Sequence, residues 1–328
     1  MKIKRTVKMK TDYSDDLRII PDIPALIFTA VFTAFFVILP FFASSRMIYI
    51  ITLIMIYSIA VLGQNILIGY TGLISFGQSG FLAVGAYAFA HSIDKIGLLP
   101  ALLLSGIFSS VIGAIVGIPS VRLKGPFLAI STLGFSIATF QVILNTPQIS
   151  GGRMGIFVPK KWGIDSPLEI YYLCLFFTYF FYIVGYRIIK SHIGKIFLAI
   201  RESDLVAEVL GVNVVKFKIL SFVISSFYTG FAGGLYAYFF GYLEPTMFSI
   251  SESINIFAAI VIGGLGSVIG SLLGTAFVIS IPQIFVSLKE YAPIIFALAI
   301  ILAVIFEPLG LYGRWLKIKL YFMNFPFR

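Results

Sequence analysis

The side chains able to do chemistry sit in an unusual setting. Gly69, Tyr70, Thr71, Gly72, Ser75, Gly77 and Gln78 place hydroxyl and amide groups among glycines inside 47–93, a stretch of 47 residues with no Asp, Glu, Lys or Arg. Without an ionisable neighbour such groups perform neither acid–base nor nucleophilic work. They can stand in for water around a polar solute, and the seven residues are the candidates for a translocation path. Five glycines lie between Gly63 and Gly80. Each weakens a helix by about 1 kcal/mol relative to Ala, so the segment reads as an interrupted helix or re-entrant turn. Irregular backbone at membrane depth is tolerated only where protein or a water-filled cavity satisfies it. A tight turn at the membrane surface, followed by close packing of small residues, is an equal reading.

A second glycine cluster, Gly263, Gly264, Gly266, Gly270 and Gly274, breaks the 36-residue uncharged stretch 253–288. Gly266, Gly270 and Gly274 recur every four residues, a spacing that brings helix backbones together, and helix packing is the expected role, with a place on the pathway second. The third candidate region is 187–218. Ile193, Ile196, Phe197 and Ile200 form one apolar helical stripe. Ser203 is placed to cap a second short helix, with Asp204 in its first turn and Gly211 as its left-handed stop. Leu205, Val206, Val209 and Leu210 give that helix an apolar face too. The pair either lies in the lipid interface or offers a partner protein a helix to grip.

Several chemistries are missing. No G-x-x-x-x-G-K-[ST] phosphate loop occurs, so ATP hydrolysis is not expected in this chain. The two histidines are isolated, and no cluster of acid, base or metal ligands marks an enzyme; no cofactor is expected. No span has an ionisable residue in its middle, which argues against a proton relay and for a passive conduit whose energy arrives from elsewhere. His91 reads as a surface residue and the lone Cys174 as a packed core thiol.

The elements that must position these groups follow from composition. The chain has 328 residues, 59% hydrophobic and 12% charged, against about 25% charged in soluble domains. Its mean hydropathy is +1.02. A membrane helix needs roughly 20 apolar residues. The uncharged runs accommodate ten crossings: one each in 24–45, 96–121, 125–152, 170–186, 219–243 and 291–306, and two each in 47–93 and 253–288. The expected fold is an all-α polytopic membrane protein with interrupted Gly-rich segments, organised as an N-terminal segment 1–23, a transmembrane domain 24–306 and a C-terminal tail 307–328. Four crossings from Met47 to Asn145 run opposite in sense to four from Ile219 to Phe306, as an inverted repeat would.

The net charge of +10 is a topology signal rather than a nucleic-acid footprint. With an even number of crossings, 18 of the 24 Lys and Arg fall on one face, in 1–23, 119–125, 187–218 and 307–328. By the positive-inside bias that face, with both termini, is cytoplasmic. The run 24–45 is read as a retained first helix rather than a cleaved signal.

Gly69-Tyr70-Thr71-Gly72 followed by Ser75-Phe76-Gly77-Gln78 and Gly85-Ala86-Tyr87 resembles the first signature of the branched-chain amino-acid ABC transporter permeases. Arg122-Leu123-Lys124-Gly125, Phe127-Leu128-Ala129-Ile130, Thr132-Leu133, Gly151-Gly152 and Gly155-Ile156 are similar to their LivM-type subunit. Gly194-Lys195, Ala199-Ile200-Arg201-Glu202, Ala207-Glu208 and Leu210-Gly211-Val212-Asn213 resemble its cytoplasmic coupling loop, and Gly263-Gly264-Leu265-Gly266-Ser267 its late glycine motif. Residues near Gln78, Pro126 and Ser136 depart from the family pattern. The resemblance implies a permease subunit in the cell membrane of a prokaryote. It also implies a homologous second permease, two cytoplasmic ATPase subunits carrying ATP and Mg, and an extracytoplasmic solute-binding protein. Gly194, Lys195, Arg201, Glu202, Ala207, Glu208, Gly211 and Asn213 become candidates for ATPase coupling. The implied cargo is Leu, Ile or Val. A same-family permease for urea, amides or another small polar solute is the alternative, and a stand-alone channel, ion-coupled carrier or membrane enzyme is more remote.

Overall fold

The computed structural model describes residues 33–284 except 124, 161–162 and 164–165, together with 294, 297–298, 301, 305 and 310–314. Eight long helices dominate it: α1 (Ser45–Asn65), α2 (Gln78–Ile96), α3 (Leu98–Ser120), α4 (Pro126–Asn145), α5 (Pro167–Lys190), α8 (Val214–Phe240), α9 (Ile250–Gly263) and α10 (Val268–Ile284). Two short ones, α6 (His192–Glu202) and α7 (Asp204–Val209), form the loop between α5 and α8. Among the described residues six segments are long and apolar enough to cross a membrane: Ser45–Tyr70, Leu98–Ser120, Pro126–Asn145, Pro167–Lys190, Val214–Phe240 and Pro245–Gly263. The 47–93 run holds most of α1 and α2, and the 253–288 run holds most of α9 and all of α10. Of the crossing assigned to 24–45 only 33–45 is described, as a short helical stretch that ends in a 3-10 turn at Leu39–Phe41. The crossing assigned to 291–306, the last member of the possible inverted repeat, falls largely outside the described residues.

Local signals set the helix ends. Ser44 Oγ accepts from Met47 N at the start of α1. Ser166 and Glu169 form a reciprocal capping box on α5, with Pro167 in its first turn, which satisfies orphan N–H groups. Asn213 caps α8, and Gly241 ends it in a left-handed conformation. Beyond Gly241 a two-residue ribbon pairs β1 (Ile156–Phe157) with β2 (Tyr242–Leu243), antiparallel. It ties together two connections at the end of the bundle opposite α6 and α7.

The bundle is built around α1 and α8, both largely buried, with α2 and α3 packed tightly on α8. That packing depends on missing side chains. A Cβ on Gly85 would lie 2.1 Å from Gly230 O, one on Gly233 2.2 Å from Leu82 O, and one on Gly230 2.2 Å from Ser109 Oγ. Ser109 Oγ donates to Phe81 O at 2.8 Å. Backbones in direct contact gain dispersion energy and close polar contacts where lipid offers no hydrophobic driving force. Aromatic rings fill the remaining space: Phe181 meets Tyr228 edge-on and Phe231 at a tilt, with centroids 4.7 and 4.6 Å apart. Cys174 is buried. α4 is peripheral, with Phe127 and Ile130 turned outward.

Candidate functional site

The interruption between α1 and α2 has three parts. α1 widens into a π-helical turn over Ile66–Tyr70, the chain reverses at Gly72 with φ +75°, and residues 73–77 return as non-helical backbone to the start of α2. Gly72 N and Leu73 N donate back to Ile68 O and Leu67 O at 3.0 and 3.2 Å. Side chains of α1, of α4 and of the segment itself satisfy four more of its backbone groups. Thr132 Oγ1 accepts from Phe76 N at 2.9 Å and Ser136 Oγ donates to Phe76 O at 2.8 Å. Gln64 Nε2 donates to Ser75 O at 2.8 Å, and Ser75 Oγ accepts from Gly77 N at 3.2 Å. Ser136 stands midway along the 20 residues of α4, so the returning strand climbs to the middle of that span. A surface turn would leave Phe76 at the helix end, and the interrupted-helix reading describes the geometry better. Irregular backbone is stable there because α1 and α4 supply the partners that lipid lacks.

Where α2 begins, Gln78 Nε2 donates to Ser225 Oγ at 3.1 Å and Gln78 Oε1 accepts from Thr229 Oγ1 at 2.6 Å. Ser253 Oγ accepts from Ser79 N and donates to Ser79 Oγ, both at 2.9 Å, and lies 3.4 Å from Ser136 Oγ. A polar layer drawn from α1, α2, α4, α8 and α9 thus crosses the bundle. Thr71 is buried and its hydroxyl donates to Ile66 O at 3.3 Å.

At the lower end of this segment the three motif regions meet. Asn65 Nδ2 donates to Ser267 O and Ser271 Oγ at 2.8 and 2.9 Å, while its Oδ1 accepts from Gly266 N at 2.9 Å. Tyr70 OH donates to Gly266 O at 2.6 Å. Arg201 of α6 sends Nη1 to Gly69 O at 2.5 Å. A Cβ on Gly69 would fall 2.2 Å from Asn65 Oδ1 and 2.5 Å from Gly266 N, so only glycine fits. Gly72 sits against the Arg201 stem, 3.3 Å from Cγ to an imagined Cβ.

The second glycine cluster departs from the expected single helical face. Gly263 ends α9, while Gly264 and Gly266 form the turn to α10 with φ +112° and +77°. Gly266 is therefore not on a helix: its backbone is the partner of Asn65 and Tyr70. Gly270 and Gly274 remain on α10, facing α9. A Cβ on Gly274 would lie 1.8 Å from Ala259 O, and one on Gly263 2.0 Å from Gly270 O.

The loop folds as two helices. The stripe Ile196, Phe197 and Ile200 is buried, with Ile193 partly so, and it faces the bundle instead of lipid. A Cβ on Gly194 would meet Ile189 O at 2.0 Å, so glycine lets α6 fold back on the end of α5. Ser203 Oγ accepts from Val206 N, capping α7, and Gly211 follows it at φ +82°. Asp204 does more than face the helix dipole: it pairs with Lys218 of α8 at 2.6 Å. Ala207 is buried beside Ile196, Ile200 and Val214, and Asn213 caps α8. Lys195, Glu202 and Glu208 face outward and do not join the Gly69–Arg201–Gly266 junction. On α7 and at its C-cap, Leu205, Val206, Val209 and Leu210 are 74, 58, 87 and 72% exposed.

By charge alone Glu252 falls at the edge of an uncharged run, and no span is expected to hold an ionisable residue in its middle. The structure corrects this. Glu252 lies in the first turn of α9, inside Pro245–Gly263, and its Oε2 accepts from Tyr57 OH at 2.9 Å. Gln64, Asn65, Tyr57, Ser136, Ser253 and Glu252 were not singled out as site residues. The available signal was a polar residue recurring inside an otherwise apolar run. Among the described residues no group of three or more His, Cys, Asp or Glu is placed to hold a metal.

Residues 46–306 match the family described as "Branched-chain amino acid transport system / permease component". The chain is 30% identical over 302 residues to the high-affinity branched-chain amino acid transport system permease protein LivM of Salmonella typhimurium, covering 83% of this chain and 71% of that protein. The LivM protein of Escherichia coli gives the same identity and coverage. The high-affinity branched-chain amino acid transport system permease protein LivH of Escherichia coli is 22% identical over 295 residues, 80% of this chain and 93% of that protein. No solved structure matches the chain.

Proposed function

Since the chain belongs to the branched-chain amino acid transport permease family, a family of multi-pass membrane proteins, we propose that it is the LivM-type membrane subunit of an ATP-driven importer of Leu, Ile and Val. In this reading it forms the translocation path with a second, homologous permease. Two relatives, LivM and LivH, bear the same transport-system name in one organism, which supports such a pairing. Two cytoplasmic ATPase subunits would supply the energy and an extracytoplasmic binding protein the solute, with both termini of this chain cytoplasmic.

The observation that carries the reading is the Arg201–Gly69 bond. α6 is braced on α5 and α8, α7 presents four bare apolar side chains outward, and Arg201 joins this unit to the carbonyl at which α1 loses its regular form. A partner seated on α7 would push or pull on the one place where the membrane helix is already broken. Motion there reaches the α9–α10 turn through Tyr70, Asn65 and Gly266, and the polar layer through residues 73–77. ATP-driven closure of the ATPase pair would in this way rock the permeases between outward- and inward-facing states.

The test is uptake of labelled leucine into proteoliposomes holding this chain, a candidate second permease and the ATPases, with ATP inside and the binding protein outside. Uptake that vanishes when this chain is omitted supports the assignment. ATPase stimulation only by binding protein loaded with another solute overturns the cargo. Failure to bind any ATPase overturns the importer reading.

A further inference from the structure

Glu252 is a carboxylate at mid-depth for which the described chain supplies no opposite charge. Tyr57, its partner, lies twelve residues after Ser45 and thirteen before Tyr70 in the Ser45–Tyr70 span. At 1.5 Å per residue that is about 18 Å from one end and about 20 Å from the other. The adjacent Ser253 contacts Ser136, itself midway along α4, so two helices agree on the level. Tyr236 closes over Tyr57 with ring centroids 5.9 Å apart. Among the described residues no basic side chain pairs with Glu252. The residue is partly exposed rather than sealed.

Intramembrane carboxylates are costly, face a bundle interior or aqueous cavity, and mark solute or ion pathways. A carboxylate offers about four acceptor sites and an ammonium group three donors. Tyr57 occupies one of those sites, leaving room for a ligand that donates and brings positive charge. We propose that Glu252 binds the ammonium group of the amino acid in transit. The assignment rests on the amino-acid cargo proposed above. A cationic side chain of the second permease would offer the same chemistry, and the test separates the two sources.

The assembled transporter is prepared with Glu252→Gln, Glu252→Asp and Tyr57→Phe, and each is measured for assembly, binding-protein-stimulated ATPase and leucine uptake. Glu252→Gln is expected to assemble and keep stimulated ATPase while uptake per ATP falls roughly tenfold or more, the loss of a charge-assisted contact. Glu252→Asp is expected to recover part of it. Tyr57→Phe keeps the charge and is expected to raise the solute concentration needed for half-maximal uptake. Unchanged uptake in Glu252→Gln overturns the proposal. Loss of the second permease from that variant overturns it too, assigning the charge to an ion pair between permeases. Wild-type uptake that collapses with a proton ionophore at constant ATP assigns the carboxylate to proton movement instead. A wild-type assembly that is stimulated and transports only an uncharged solute overturns the amino-acid cargo itself.

Discussion

Replacing Arg201 by Ala removes the direct link between the α6–α7 loop and the broken helix. Nη1 lies 2.5 Å from Gly69 O, and a hydrogen bond from a charged donor contributes about 1.5–3 kcal/mol. The Gly69 carbonyl loses its donor from α6, and the packing of the arginine stem on Gly72 is lost as well. If that bond transmits ATPase closure, its loss weakens coupling by roughly 10- to 100-fold, since each 1.4 kcal/mol is about tenfold. The assay is the ratio of binding-protein-stimulated to basal ATPase in the assembled complex in lipid nanodiscs, with solute uptake measured in parallel. Arg201→Ala is expected to bring the ratio close to one and abolish uptake while basal hydrolysis continues. Arg201→Lys is expected to fall between, because an ammonium is a point charge on a flexible stem and cannot reproduce the guanidinium fork. A thermal melt matching wild type separates lost coupling from lost fold. Full stimulation and uptake by a correctly assembled Arg201→Ala complex would refute the reasoning.

Leu205→Ser with Val209→Ser should abolish co-purification of the ATPases without lowering the melting temperature, because both side chains are more than 70% exposed; retained ATPase binding counts against α7 as a docking element. Gly85→Ala should reduce the folded, monodisperse fraction on size exclusion, because its Cβ would lie 2.1 Å from Gly230 O; a wild-type profile would show that α2 and α8 can separate freely. Ser136→Ala and Thr132→Val together should destabilise the protein by about 1–3 kcal/mol per backbone group left unpaired. The readout is a melt, and an unchanged melting temperature would mean that other groups satisfy Phe76.

Much of the architecture is written along the chain. Transfer of an apolar run into lipid depends on composition, so runs such as 96–121 and 219–243 announce α3 and α8 without knowledge of their neighbours. Capping is equally local: Ser203 and Gly211 bound α7 because their own backbone conformations and nearest N–H groups decide it. The interruption after Asn65 was legible as a cluster of glycines and hydroxyls, but its course was not. Whether residues 73–77 turn at the surface or climb to mid-span depends on Thr132 and Ser136 being there to receive Phe76.

Tertiary structure alone decided which motifs touch. Asn65 and Ser267 are 202 residues apart and Arg201 and Gly69 are 132 apart, and no local energy encodes such pairings. Spacing suggested one helical face for Gly266, Gly270 and Gly274; the chain turns at Gly264–Ser267, so Gly266 serves as a backbone partner instead. Glu252 gives the sharpest contrast. Along the sequence it is a charge at the rim of an apolar run, where solvent would be expected. Its depth is fixed by the register of α9 against α1, and that register is set by side-chain packing and hydrogen bonds between helices, which composition does not contain.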